Sequence, residues 1–288
     1  MPQLNYLAPS TAEEAVKALM AANARPLAGG TDLLVQIRSG RVKPDVIVDL
    51  KGIAAAKGIR GEAGGFVIGA AVSGAELSEH AALVRAWPGV VEGANLIGST
   101  QIQSRATMAG NLCNGSPAAD SVPALIAARA TVVIMGPDGR REAPVEAVPT
   151  GPGATSLGPG EFVLEIRLPP RPANASDAYL RLIPRTEMDI AVAGAGVNIV
   201  RDAAGVVTEA HVALGAVAPT ALLVPEAGAA LVGSKLDEAA LARLDAAARA
   251  ACRPISDKRG TVEYRTRIAG VLARRAALIA YERAGQSA

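Results

Sequence analysis

Two hydrophobic rhythms divide this chain. In its first part, apolar residues recur at helical spacing or in short β-branched bursts, each set off by Gly, Pro or a capping residue. Val16, Leu19 and Met20 follow Ser10 and Glu13, a capping-box pair, and predict a helix that ends near Asn23. The β-branched run over 44–50, bounded by Pro44 and by Lys51 with Gly52, predicts a strand. A strand over 66–70 leads into a helix capped by Ser73 with Glu76, and a further helix runs over 88–97. A polar, glycine-bearing stretch with little periodicity fills 99–121, after which the apolar residues 122–130 predict a buried helix. Residues 131–135 and 161–168 read as strands, and the turn over 137–140 suits a hairpin.

Beyond residue 172 the segments lengthen and alternate. Residues 177–183, 189–200 and 207–217 predict an antiparallel meander with one face covered, and two helices, over 236–252 and 262–284, close the chain. Between the two parts lies LPPRPANAS over 168–176, whose prolines break both helix and ladder. The expected boundary therefore falls near 172 and divides the chain into 1–172 and 173–288, in an α+β fold without internal repeats.

Composition narrows the possible chemistry. Half of the residues are hydrophobic, enough for a core without disulfides, but with one Trp, four Tyr and two Phe that core must rest on Val, Leu, Ile and Ala. A formal net charge of +2 with scattered Lys and Arg gives no footprint for nucleic acid. No apolar stretch is long enough to span a membrane and no secretory leader pattern is present, so the expected setting is the cytoplasm. Cys113, Cys252, His80 and His211 are too few to build a structural zinc or iron–sulfur site, so metal chemistry would sit on another chain. His80 and His211 suit surface or packing positions. Ser104, Ser116 and Ser121 lack a nucleophile elbow, and Cys113 has no neighbouring cation in sequence to activate it, so hydrolytic chemistry is poorly supported.

Three stretches carry candidate chemistry. AGGTD over 28–32 is neither a dinucleotide fingerprint nor a Walker loop; its glycines serve either a strand-to-helix turn or the close approach of an anion, and spacing leaves both open. The second stretch offers Thr107, Gly110, Asn111, Asn114 and Ser116. Asp120 then stands at a helix start, either capping that helix or accepting hydrogen bonds from ligand hydroxyls such as a ribityl chain. Third, Arg181, Ile183 and Arg185 share a strand parity, so they are either a solvated strand end with weak ion pairs or a face that aims cations at a ligand.

Together these stretches resemble one family. AGGTDLL at 28–34, followed by QIQSRATMAGNLCNGSPAADSVPALIA at 101–127, RTEMDIAVAGAGV at 185–197 and ALGAVAPTA at 213–221, is similar in order and spacing to the FAD-binding medium subunits of the molybdenum hydroxylases, which include bacterial xanthine dehydrogenases and carbon monoxide dehydrogenase. The resemblance covers nearly the whole chain. It implies a two-part FAD-binding domain of the vanillyl-alcohol oxidase (PCMH) type, about 1–57 and 58–172, and a smaller C-terminal domain with an antiparallel sheet and helices. It also implies that Ala28, Gly29, Gly30, Thr31, Asp32 and Leu33 wrap the FAD pyrophosphate, with Thr107, Gly110, Asn111 and Cys113 beside it and Ile97 and Gly98 just upstream. By the same resemblance Asp120 meets the ribityl and flavin region, Val163 packs near the adenine, and Arg181 is a basic group near the isoalloxazine ring, where it would favour an anionic reduced flavin.

No residue of this chain is implied in substrate catalysis. The implied role is electron transfer in a hetero-oligomer: a large subunit carries the molybdenum cofactor, a small subunit carries 2Fe–2S clusters, and FAD on this chain passes electrons to NAD or another acceptor. The alternative is a stand-alone flavin-dependent oxidase or reductase with its own small substrate. Gln103, Ala106 and Ala109 stand where the family commonly has Arg, Gly and Gly, and ALLVPE over 221–226 lacks the family's frequent arginine. Two cysteines cannot hold the extra cluster of the 4-hydroxybenzoyl-CoA reductase branch.

Overall fold

The computed structural model describes residues 4–286. Its first unit is a three-stranded parallel sheet in the spatial order Asn5–Leu7, Val46–Asp49, Ala24–Leu27. The helix Ala12–Leu19 turns Ala12, Ala15, Val16 and Leu19 inward, and this phase fixes its start. The capping box is accordingly Thr11 with Glu14, one residue later than the expected Ser10 and Glu13, and Ser10 instead donates to the Glu14 carboxylate. The helix also stops at Leu19, short of Asn23, which takes a left-handed φ of 54° on the way into the next strand.

The second unit is a five-stranded antiparallel sheet ordered Ile59–Glu62, Gly65–Gly69, Phe162–Leu168, Thr131–Gly136, Gly139–Pro144. The expected hairpin is present, with Gly136 paired to Gly139, whose φ of 97° suits glycine. The helix Gly74–Glu79 carries the expected capping box of Ser73 with Glu76. The stretch over 99–121 is more ordered than its lack of periodicity suggests, since it contains the short helices Thr100–Gln103 and Met108–Cys113. Four and six residues are too few for a period to show in sequence.

The third sheet pairs Ala175–Leu182, Ala193–Arg201 and Val207–Gly215 in antiparallel register, with Leu222–Leu223 at its edge. It is covered on both faces rather than one. Ala178, Ala195, Val197, Ile199, Val212 and Leu214 share a core with the helices Glu238–Ala251 and Val262–Gln286. The opposite face is lined by small residues, because the first part of the chain lies directly on it. A Cβ at Gly196 would meet the Pro123 carbonyl oxygen at 2.6 Å, and one at Gly215 would meet the Pro123 ring at 2.7 Å. The strand expected from Asp189 therefore begins at Ala193, and a loop closed by Val192 N–H donating to Leu182 O (2.8 Å) precedes it.

The proline-rich connection is a clamp between the two parts of the chain. Arg171 stacks on the buried Trp87 indole, 4.0 Å from the ring centroid, and donates to the Ala86 carbonyl, to Asp177 Oδ1 (2.9 Å) and to Asn198 Oδ1 (2.9 Å). The other oxygen of Asp177 accepts from Val90 N–H (3.0 Å) at the start of the helix Pro88–Asn95, where a carboxylate meets free N–H groups and the positive dipole end. Burial pushes the Asp177 carboxyl up and Arg171 partly offsets it, so the pair depends on its partners staying in place. Arg171→Met is expected to lower the unfolding free energy by about 3 kcal/mol, the cost of stranding a buried charge. Arg141→Met, which breaks the more exposed pair with Glu161, should cost under about 1 kcal/mol. Urea unfolding followed by circular dichroism checks both.

Candidate functional site: two glycine loops and a buried ion pair

The first loop leaves the strand Ala24–Leu27 at Ala28 and ends where the helix Leu33–Arg38 starts. Gly30 takes a φ of 78°, in the left-handed region that glycine occupies without strain. Gly29 is required for a different reason: a Cβ there would lie 1.9 Å from the Arg105 carbonyl oxygen, which belongs to the second loop. Among the described residues, the N–H groups of Gly29, Gly30, Thr31 and Asp32 donate to no protein acceptor, while the Gly30 and Asp32 carbonyls receive Leu34 and Gln36. Unspent N–H groups on a glycine turn favour an anion. Asp32 stands at the helix start without a side-chain cap bond, and Leu33 opens the helix.

Thr107 organises the second loop. Its hydroxyl accepts from Gly110 N–H (2.9 Å) as the cap of Met108–Cys113, and a bridge from Thr107 to Ser73 fixes the loop to the body. Gln36 on the first loop's helix donates to Asn114 Oδ1 (2.9 Å), a second tie between the two loops. Asn111 Oδ1 accepts from both the N–H and the hydroxyl of Ser121 and so holds the start of the helix Ser121–Ala127.

Asp120 precedes that helix but makes no cap bond with it. Its side chain turns to the third sheet, accepting from Arg181 Nη1 (2.5 Å) and from the Tyr179 hydroxyl (3.3 Å). Asp120 is 10 % exposed at its side chain and Arg181 is 7 % exposed. Burial raises the Asp120 carboxyl to about 6 even though Arg181 and Tyr179 pull the other way, and burial also holds the Tyr179 hydroxyl well above its ordinary range. The result is a desolvated carboxylate and cation where the two parts of the chain meet, where a low local dielectric strengthens their hydrogen bonds and their charges.

The structure joins the two loops at Gly29 and Arg105 and pairs Asp120 with Arg181, and it gives the other expected residues different surroundings. Gly98 takes a φ of 70°, a Cβ there would lie 2.6 Å from the Ile102 side chain, and Ile97 precedes it after the helix Pro88–Asn95. Burial pushes the Cys113 thiol up to about 12, so it is a packing group rather than a nucleophile. Val163 is 2 % exposed, in the core beside a bulge in the strand pairing. Arg185 leaves the strand face expected for it: the strand ends at Leu182, and Arg185 lies in the following loop beside Asp189, 68 % exposed at its side chain. His80 caps the short helix Ala81–Ala86 through Nδ1, and His211 pairs with Glu209. Sequence reasoning missed Lys51 and Tyr179. Lys51 reads as a strand-ending lysine, and only the parity of Tyr179 with Arg181 could have suggested its role. Among the described residues no group of three or more His, Cys, Asp and Glu is placed to hold a metal, and no helix is long and apolar enough to cross a membrane.

Residues 2–171 match the family described as the FAD binding domain in molybdopterin dehydrogenase, and residues 178–280 match the CO dehydrogenase flavoprotein C-terminal domain. The chain is 34% identical over 284 residues to the carbon monoxide dehydrogenase medium chain of Hydrogenophaga pseudoflava, covering 98% of each. It is 32% identical over 244 residues to a putative xanthine dehydrogenase FAD-binding subunit of Escherichia coli K12, covering 84% of this chain and 83% of that one. The crystal structure of a cyanide-inactivated Cu,Mo-CO dehydrogenase contains a chain that superposes with a TM-score of 0.93 at 36% identity, covering 98% of this chain and 99% of that one.

The raised Asp120 carboxyl gives a pH test. A carboxyl with a higher pKa in the folded state binds its proton more tightly when folded. Its contribution to stability is thus complete below the unfolded value, near 4, and is lost as pH rises through about 6. The stability of the native chain relative to Asp120→Asn should therefore fall by about 2 kcal/mol between pH 4 and pH 7, read from urea midpoints of the two proteins.

Proposed function

Because this chain belongs to the FAD-binding subunits of the molybdopterin dehydrogenase family, we propose that it carries FAD as the electron relay of a molybdenum hydroxylase complex, between iron–sulfur clusters on a partner and NAD or another acceptor. The observation that carries this reading is the contact of the two glycine loops at Gly29 and Arg105, with unspent N–H groups on the first loop and, next to the Ser121 that Asn111 of the second loop holds, the Asp120 and Arg181 pair.

The residues present suit such a group. In the proposal, Ala28, Gly29, Gly30, Thr31, Asp32 and Leu33 hold the pyrophosphate, joined by Thr107, Gly110, Asn111 and Cys113, with Ile97 and Gly98 shaping the approach. Val163 walls the adenine side. When bound, FAD supplies two-electron and one-electron redox chemistry that no side chain here provides. The chain's own work is to bind and orient it. Asp120 accepts from hydroxyls while its proton affinity is governed by burial and by Arg181, and Arg181 places a positive charge at the ring side of the junction. The organic substrate and the molybdenum cofactor belong, in this reading, to the large partner subunit, and the 2Fe–2S clusters belong to the small one.

Purified full-length chain is expected to be yellow and to release about one FAD per chain on denaturation, read from its visible absorbance. A folded, colourless chain that refuses added FAD would overturn the reading. Chemically reduced protein that reoxidises on addition of NAD identifies NAD as the acceptor; reoxidation by an artificial acceptor but not by NAD assigns the role to another one.

A further inference from the structure

Lys51 lies outside both glycine loops, in the turn that follows the strand Val46–Asp49. Its ammonium donates to the Ala28 carbonyl (3.1 Å) and to Asp49 Oδ1 (2.7 Å), and its backbone N–H donates to the same carboxylate oxygen (2.9 Å). The second Asp49 oxygen accepts from the Tyr6 hydroxyl. Burial works against the Asp49 charge, but these donors more than offset it, and the carboxyl sits below its ordinary range. The ammonium and the backbone N–H of Lys51 are thus tied to one anion, itself only 6 % exposed, that is built into the end of the parallel sheet.

The consequence reaches the first loop through one peptide plane. In a trans peptide the carbonyl of one residue and the N–H of the next point in opposite directions, and among the described residues no peptide bond is cis. Holding the Ala28 carbonyl toward Lys51 therefore turns the Gly29 N–H away from it, and that N–H is one of the unspent donors of the loop. The Arg105 carbonyl also leaves Gly29 no room for a Cβ, so the Ala28–Gly29 peptide is held by Lys51 at its carbonyl and its Gly29 end is packed against the second loop. The lysine charge is already matched by Asp49, which leaves orientation rather than net attraction as its contribution.

From this geometry we propose that Lys51 is a positioning residue for the adenosine diphosphate half of FAD, acting through the Ala28–Gly29 peptide and not by direct contact with the phosphates. The proposal rests on the cofactor assignment made above. Lys51→Met in the full chain is expected to raise the dissociation constants of FAD and of ADP by the same factor, about tenfold, as befits loss of one charge-assisted hydrogen bond. The visible spectrum of the FAD that still binds should stay unchanged, because the ring side of the junction is untouched. Lys51→Arg, which keeps a cation able to reach both oxygens, should restore affinity to within about threefold.

All titrations are run at a temperature where circular dichroism shows each protein folded. Should the methionine variant not fold, Lys51→Gln, with shorter reach and no charge, takes its place. Native affinity for FAD in the methionine or glutamine variant overturns the proposal. So does loss of FAD affinity with ADP affinity intact, which would put the effect on the ring side. A native chain that binds neither FAD nor ADP would instead sink the cofactor assignment itself.

Discussion

One strand face holds this molecule together. Along Ala175–Leu182, the side chains of Asp177, Tyr179 and Arg181 point to the same side, toward the first part of the chain. Asp177 caps the helix Pro88–Asn95, and the Tyr179 hydroxyl and Arg181 both meet Asp120, while the Tyr179 N–H donates to Glu92 on that helix. A strand permits this because its side chains alternate with a period of two: the residues between them, Ala178 and Leu180, serve the opposite, aliphatic core. A slip of one residue would carry all three polar groups into that core, so the register of this one strand sets both the union of the two halves and the position of Arg181.

The other constraint is backbone proximity. Two loops distant in sequence touch at Gly29 and Arg105, and the small-residue face of the third sheet lets the helix Ser121–Ala127 come down on Gly196. Glycine is needed at Gly29 and Gly196 for close packing, whereas Gly30 in the first loop also needs it for its dihedral angle. Close approach leaves N–H groups on the loop without protein partners, and a loop in that state is prepared for an anionic group without rearrangement. The raised carboxyl of Asp120 follows from burial where the first part of the chain meets the third sheet, which removes water from Asp120 and Arg181 together.

How much of this was legible in the sequence depended on the range over which each signal acts. Local signals could be read: Ser73 with Glu76, the Pro137 hairpin and the parity of Arg181 all act within a few residues. The strand Asn5–Leu7 could not, because its three residues are exposed and only pairing with Val46–Asp49 makes them a strand. Asp120 had two roles open because its partners lie some sixty residues away, and only the folded chain shows its side chain turned from the helix to Tyr179 and Arg181. Arg185 was placed on the strand because alternation carries no mark of where a ladder stops; the bond from Val192 to Leu182 sets that limit. Lys51 was invisible for the same reason as Asp120, since the Ala28 carbonyl that it holds arrives from a neighbouring strand.

The central claim is that both glycine loops act on one ligand. Amide hydrogen exchange, compared with and without FAD, tests it most directly, because it reports on backbone N–H groups one segment at a time. The account predicts that FAD slows exchange together over 28–33 and 107–113, with little change over the helix Glu238–Ala251. Protection confined to one loop, or spread evenly over the whole chain, would contradict it.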